Sequence, residues 1–195
     1  MRFIFTGAQG TGKTTILNHF KNNGVPVITE IVRNLAKEGI NINEQGDLQG
    51  QNTIFNKYNE LLSKKETFIS DRGLTDVIAY SYTLAEKGRV TYEFVEDQLR
   101  QLREFTAENP DIIYFYFPIE FPVVGDGVRS TDEHFRIVVD RYIKRILEAA
   151  GIRYVEVRGT VEERVKIVEG IIQNIKQFQV AQDNALNNCR KCDIH

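Results

Sequence analysis

RFIFTGAQGTGKTT, residues 2–15, decides the fold. The apolar run Arg2–Phe5 reads as a buried strand. The glycine-rich stretch after it leads directly into a helical pattern, from about Lys13 to Asn23. Within it, Gly7, Ala8, Gln9, Gly10, Thr11, Gly12, Lys13 and Thr14 match G-x4-G-K-[ST], the Walker A spacing. A strand–loop–helix with this spacing points successive backbone N–H groups into one hollow, and the helix dipole adds positive potential there. A nucleoside triphosphate fits that hollow. Lys13 is expected on the β- and γ-phosphates, the Thr14 hydroxyl on Mg²⁺, and Thr15, at the start of the helix, closes the nucleotide-binding stretch. Gln9 and Thr11 read as loop-filling positions without chemistry of their own.

Working outward, the chain alternates short apolar runs with helical periods, the pattern of an α/β domain. Val25–Ile28 reads as a second strand, with Pro26 at its start. Helices are expected over Glu30–Glu38 and over Glu44–Lys64, the latter on the spacing of Leu48, Phe55, Tyr58 and Leu62. Thr67–Ser70 is a third strand ending in Asp71-Arg72-Gly73. Two helices, Leu74–Lys87 and Thr91–Ala107, break at Gly88. The most apolar run, ending at Phe117, is a central strand. Ser130-x-x-Glu133 and Thr160-x-x-Glu163 are capping boxes for two further helices, with Ile152–Val157 a fifth strand between them. The expected fold is therefore a five-stranded parallel sheet flanked by helices on both faces. One domain over residues 1–178 and a peripheral tail over 179–195 complete the expected organisation.

Bulk composition narrows the function classes. The 195 residues carry a net charge of −2 and are 42% hydrophobic, as a soluble globular protein should be. The overall field does not favour nucleic acid or an anionic membrane as partner. No run is long enough to span a bilayer and no signal peptide is legible, so the cytoplasm is the expected compartment. Oligomeric state stays open. Cys189, Cys192 and His195 form C-x2-C-x2-H, one ligand short of a closed zinc site, and read as a solvated tail.

Among nucleotide-binding classes, a GTPase needs Asn-Lys-x-Asp after a late strand. The nearest match, Asn56-Lys57-Tyr58-Asn59, lacks the aspartate and falls within a helix. A mechanical ATPase commonly ends its second motif strand in Asp-Glu, where this chain has Asp71-Arg72. Phosphoryl transfer needs a carboxylate near the attacking hydroxyl and cations near the transferred group, at the carboxyl edge of the sheet. Glu30 and Asp71 both qualify. Either is the base or acceptor ligand while the other organises Mg²⁺. Arg33 lies one turn from Glu30, Arg72 beside Asp71, and Arg129 sits in a short lid loop with Gly125 and Gly127 as hinges, suited to close over phosphates, with Asp126 placed to orient it. Arg136 is a further cation on that helix.

Asp-Arg in that place resembles the P-loop nucleoside and nucleotide kinases. GAQGTGKTT, TEIVRNL (29–35), ISDRG (69–73), DGVRSTDEHFR (126–136) and VRGTVEERV (157–165) together resemble the small P-loop kinases that include the ribosylnicotinamide kinase domain of the bacterial NAD regulator and phage-borne relatives. The resemblance implies an ATP- and Mg²⁺-dependent phosphotransferase acting on a nucleoside- or nucleotide-like hydroxyl. It also implies that Arg158 and Gly159 pack the adenine. Two other readings stand beside it: a kinase for a hydroxyl in DNA or RNA, and a non-catalytic ATP-binding regulatory module.

Overall fold

The computed structural model describes residues 1–122 and 132–192, in two compact units, Met1–Arg158 and the chain from Gly159 onward. The first unit runs β1 (Arg2–Thr6), α1 (Lys13–Asn22), β2 (Val27–Ile28), α2 (Ile31–Lys37), a 3₁₀ turn (Asn43–Gln45), α3 (Leu48–Leu62), β3 (Phe68–Asp71), α4 (Leu74–Glu86), α5 (Tyr92–Glu108), β4 (Ile112–Tyr116), α6 (Glu133–Ala149) and β5 (Tyr154–Glu156). The five strands form one parallel sheet in the order β2-β3-β1-β4-β5. Both neighbours of β1 come later in the chain, so the loop that leaves β1 opens into the crevice at the carboxyl edge.

Alternation along β1 explains the two covered faces. Phe3 and Phe5 point to one side, where Phe5 meets Phe115 at 5.6 Å, Phe117 at 4.9 Å and Phe20 of α1 at 6.3 Å between ring centroids. Ile4, with Tyr114 and Tyr116 of β4, points to the other side, into the core built by α3 to α6. Arg2 starts the same strand yet is fully buried: its guanidinium donates to the Leu62 carbonyl (2.6 Å) and Asn109 Oδ1 (2.9 Å) and pairs with Asp111. That network ties the ends of α3 and α5 to the amino edge of the sheet.

Three element boundaries differ from the sequence expectation, each for a local reason. The helix expected over Glu44–Lys64 is divided, because Gly46 is extended and Asp47 caps α3 by accepting from the Gly50 N–H at 2.7 Å. Glu30 is not helical: it sits left-handed at φ 65°, and α2 begins at Ile31. The cap of α6 is Asp132, which accepts from the Phe135 N–H at 3.0 Å; Ser130 lies outside the described residues. In the second unit α7 (Val161–Cys192) opens with the expected box, Thr160 N–H donating to Glu163 Oε2 at 2.8 Å and Glu163 N–H to Thr160 Oγ1 at 3.3 Å. Its helix continues past residue 179. Among the described residues no helix is long and apolar enough to cross a membrane.

Candidate active site

The loop between β1 and α1 turns on three left-handed or positive-φ glycines, Gly7 (142°), Gly10 (70°) and Gly12 (86°). Gly7 is also held by space: a Cβ there would stand 2.4 Å from the Phe117 carbonyl oxygen. Gly7→Ala is therefore expected to cost about 1–3 kcal/mol of stability and to weaken ADP binding, read by thermal melting and calorimetry; unchanged melting contradicts the packing at Phe117.

Lys13 folds back into the hollow it helps form. Its Nζ donates to the carbonyls of Gly7 (2.6 Å) and Ala8 (2.7 Å) and to Thr11 Oγ1 (3.1 Å). Thr11 in turn donates to the Ala8 carbonyl at 3.1 Å, so it shapes the loop rather than merely filling it. Burial, and then the nearby Arg72 charge, pull the Lys13 ammonium down to about 7 against the opposing Asp71, Asp76 and Asp140. A bound triphosphate favours the charged form. Above pH 7 the complex then holds more protons than the free protein, so affinity falls as pH rises. Mg-ATP binding near pH 8 is expected to take up about one proton, and near pH 6 almost none, in calorimetry run in buffers of different ionisation enthalpy. Equal proton uptake at both pH values contradicts the lowered lysine.

The wall beside the loop is built by the turn after β3. Asp76, on the first turn of α4 and fully buried, accepts from the Gly7 N–H at 3.2 Å and from the Gly73 N–H at 3.1 Å. Burial pushes its carboxyl up, opposed by Arg72 and Lys13. Arg72 Nη1 lies 3.6 Å from Asp76 Oδ1, and its guanidinium stands over the Tyr80 ring at 5.4 Å. The Tyr80 hydroxyl donates to Gln9 Oε1 at 2.8 Å. Gln9 thus joins loop to wall, a role its sequence position did not suggest. Beside these contacts two buried polar atoms have no hydrogen-bond partner, Gln9 Nε2 and Asp71 Oδ1, while Arg72 Nη1 has only its ion pair with Asp76. Natural interiors pair such atoms, so unpaired ones at a crevice mark places where a ligand atom bonds.

The same wall opens into a cleft whose apolar sides include Val32, Ile54, Val77 and Tyr80, with Asn43, Gln51, Arg72 and Asp76 supplying polar groups. Among the described residues, the non-glycine residues at positive φ are Glu30 (65°), Asn43 (53°) and Arg72 (75°). Two line this cleft and the third opens the helix that carries Val32. Backbone strain of this kind gathers where a site dictates side-chain position.

The structure brings Lys13, Asp71 and Arg72 together with Tyr80, an aromatic whose place in the sequence suited either core or acceptor side, and with the unforeseen Asp76, Gln51 and Tyr58. Tyr58 donates to the Asp71 carbonyl at 3.0 Å. Thr14 is half-buried and Thr15 exposed at the start of α1. Glu30 and Arg33 pair with each other at 3.4 Å with much of both side chains exposed. Arg158 pairs with Glu156 and Glu120, and Gly159 opens the second unit. Asp126 and Arg129 lie outside the described residues, as does His195. Tyr82 stacks on Tyr142 at 4.8 Å, away from the lining of the cleft. Asp76 left one legible signal: a carboxylate four residues after Arg72, in the otherwise apolar start of a helix.

A phosphate-binding loop after β1, in a parallel sheet of order 2-3-1-4-5 with Asp-Arg closing the adjacent strand, defines a P-loop fold of the nucleoside/nucleotide kinase type. A family model described as an AAA domain matches residues 2–164, and the chain belongs to that family. Solved structures share the fold at low identity. Deoxyadenosine kinase from M. mycoides is 15% identical over 90% of this chain and 100% of that one, with a TM-score of 0.62. The NadR protein in complex with NR is 17% identical over 88% of this chain, with a TM-score of 0.64; the match spans 50% of that chain. Thymidylate kinase from Ehrlichia chaffeensis is 17% identical over 89% of this chain and 98% of that one, with a TM-score of 0.57. The likeness to small P-loop kinases expected from the motifs is thus met in family and fold. A search of curated protein sequences finds no match.

Proposed function

We propose that this protein is an ATP- and Mg²⁺-dependent phosphotransferase that moves the γ-phosphoryl group to a hydroxyl of a nucleoside- or nucleotide-like acceptor. One observation carries the proposal: the phosphate loop and the cleft share a wall, with Asp76 bonded to Gly7 and Tyr80 to Gln9. A donor in the loop and an acceptor in the cleft would meet at Asp71 and Arg72. A cleft with flat apolar sides and a few amide and charged groups suits a heterocycle with a sugar attached. The kinases that share the fold act on, or are named for, such compounds, which adds support by analogy alone.

Lys13 would neutralise the β- and γ-phosphates. Arg72, already oriented by Asp76 and Tyr80, would meet the charge that develops on the transferred group. The orphaned Asp71 Oδ1 and the Thr14 hydroxyl are hard oxygen donors of the kind Mg²⁺ takes, and these two residues would hold it. When bound, that ion neutralises phosphate charge. Asp71 is equally placed to accept the proton of the acceptor hydroxyl, while the ion-paired Glu30 would orient the acceptor. Arg33, Asp126 and Arg129 would face the acceptor, Arg158 and Gly159 would neighbour the adenine, and residues 1–178 would form the catalytic domain.

ADP release from Mg-ATP across a panel of nucleosides, nucleoside monophosphates, nicotinamide riboside and single-stranded DNA tests the proposal. Stimulation by a small acceptor is expected. ATP binding without stimulation by any small acceptor overturns it in favour of a sensor module, or of a nucleic-acid kinase if only DNA stimulates.

A further inference from the structure

Arg136, read from the sequence as one more cation on its helix, has been given no role in the proposed reaction, yet its side chain is extensively bonded. It projects from the first turn of α6 and is fully buried. Its Nε donates to the Gln9 carbonyl at 2.8 Å. Its Nη2 donates to the Gly10 carbonyl at 3.3 Å and to the Phe121 carbonyl at 2.7 Å. Its Nη1 donates to both carboxylate oxygens of Glu133, at 2.9 and 3.0 Å. The three nitrogens of the guanidinium all bond protein oxygens, Nε and Nη2 to backbone carbonyls and Nη1 to the Glu133 carboxylate. Fully buried and bonded at every nitrogen, it is held by the protein rather than presented to a phosphate. Three of its bonds go to backbone carbonyls, two of them in the phosphate loop.

A trans peptide points its C=O and the following N–H in opposite directions. Holding the Gln9 and Gly10 carbonyls toward α6 therefore turns the N–H groups of Gly10 and Thr11 away from it, to the side where a phosphate cradle needs its donors. Gly10 carries a positive φ, so without a fixed partner its flanking peptides have other orientations within reach. The same guanidinium reaches Phe121, beyond β4, so loop, post-β4 chain and α6 meet at one side chain. Glu133, half-exposed at 49%, balances the charge from the solvent side.

We infer that Arg136 is a positioning residue of the phosphate loop: it sets the direction of the Gly10 and Thr11 amides and thereby the affinity for the phosphate part of the nucleotide. The inference rests on the loop binding a nucleotide, as proposed above, but not on the acceptor or on catalysis.

The experiment compares dissociation constants of ADP and of adenosine for the wild-type protein, Arg136→Met and Arg136→Lys, with thermal melting alongside. Removing the fixed partner of two phosphate-facing amides is expected to weaken ADP about tenfold in Arg136→Met. Adenosine, which has no phosphate, should bind within about twofold of wild type, because its contacts lie outside the loop amides. Lysine carries the charge but lacks the planar fork, so Arg136→Lys should lose most of the same ADP affinity. Millimolar ethylguanidinium should restore ADP binding to Arg136→Ala, and equal ammonium should not. A folded Arg136→Met with wild-type ADP affinity overturns the inference. Equal loss of ADP and adenosine does so too, since it marks a general structural role. Should Arg136→Met fail to fold, Arg136→Lys carries the same comparison. A wild-type protein that binds neither ADP nor ATP overturns the functional reading and this inference together. Normal ADP binding without transfer to any acceptor touches only the functional reading.

Discussion

Lys13→Ala is expected to lower kcat/KM for phosphoryl transfer by about a thousandfold or more while leaving the fold intact. The Lys13 ammonium is buried at the centre of the phosphate loop, where it donates to the Gly7 and Ala8 carbonyls and Thr11 Oγ1. It is therefore the charge an incoming triphosphate meets, and in the transition state it faces oxygens that gain negative charge. Its removal takes away stabilisation that water cannot replace in a closed hollow. Stability should not fall in proportion, because a buried ammonium carries a desolvation penalty that alanine does not. Melting within a few degrees of wild type, together with lost turnover, is the expected pair of results. Near-normal turnover in Lys13→Ala contradicts the role assigned to the loop.

Asp71→Asn is the second large effect, with turnover expected to fall by about 10²–10⁴. The carboxylate ends β3 at the carboxyl edge, and its Oδ1 is buried without a hydrogen-bond partner. Its backbone carbonyl is separately fixed by Tyr58, so the amide replaces the charge without loosening the turn. Both proposed duties, holding Mg²⁺ and receiving the hydroxyl proton, need the anion and not merely an oxygen. Glu30→Gln offers the contrast. Glu30 is about half-exposed and already paired with Arg33, so its loss is expected to raise the acceptor KM with turnover within about tenfold. A larger loss of turnover in Glu30→Gln than in Asp71→Asn reverses the two assignments. Steady-state kinetics at saturating Mg-ATP, with acceptor varied, separates the outcomes.

The fold was legible because its signals are local and repeated. The apolar run before the glycines, the G-x4-G-K-[ST] spacing and the alternation of short and long periods each depend on near neighbours in the chain. Together they leave little choice but a parallel sheet with the loop at its carboxyl edge. The phosphate cradle and Asp71-Arg72 were readable for the same reason. What escaped was whatever joins distant segments. Asp76 matters through its bonds to Gly7 and Gly73, and Tyr80 through its bond to Gln9, contacts that exist only once α4 lies against the loop. Arg136 reads as one more cation on an amphipathic helix until α6 packs and carries it, fully buried, to Gln9 and Gly10. The split of the expected Glu44–Lys64 helix had a partial warning in Gly46-Asp47. Apolar spacing outweighed it there, because the cap shows its worth only when Asp47 reaches Gly50.

The most direct measurement of the central claim is the fate of the γ-phosphoryl group itself. Mg-[γ-³²P]ATP is incubated with the protein and the nucleoside that best stimulates ADP release, and the products are separated and weighed by mass spectrometry. Label in a phosphorylated nucleoside, formed in step with ADP and absent with Lys13→Ala, is the expected result. ADP accompanied only by labelled inorganic phosphate, with the nucleoside unchanged, contradicts a phosphotransferase acting on such an acceptor.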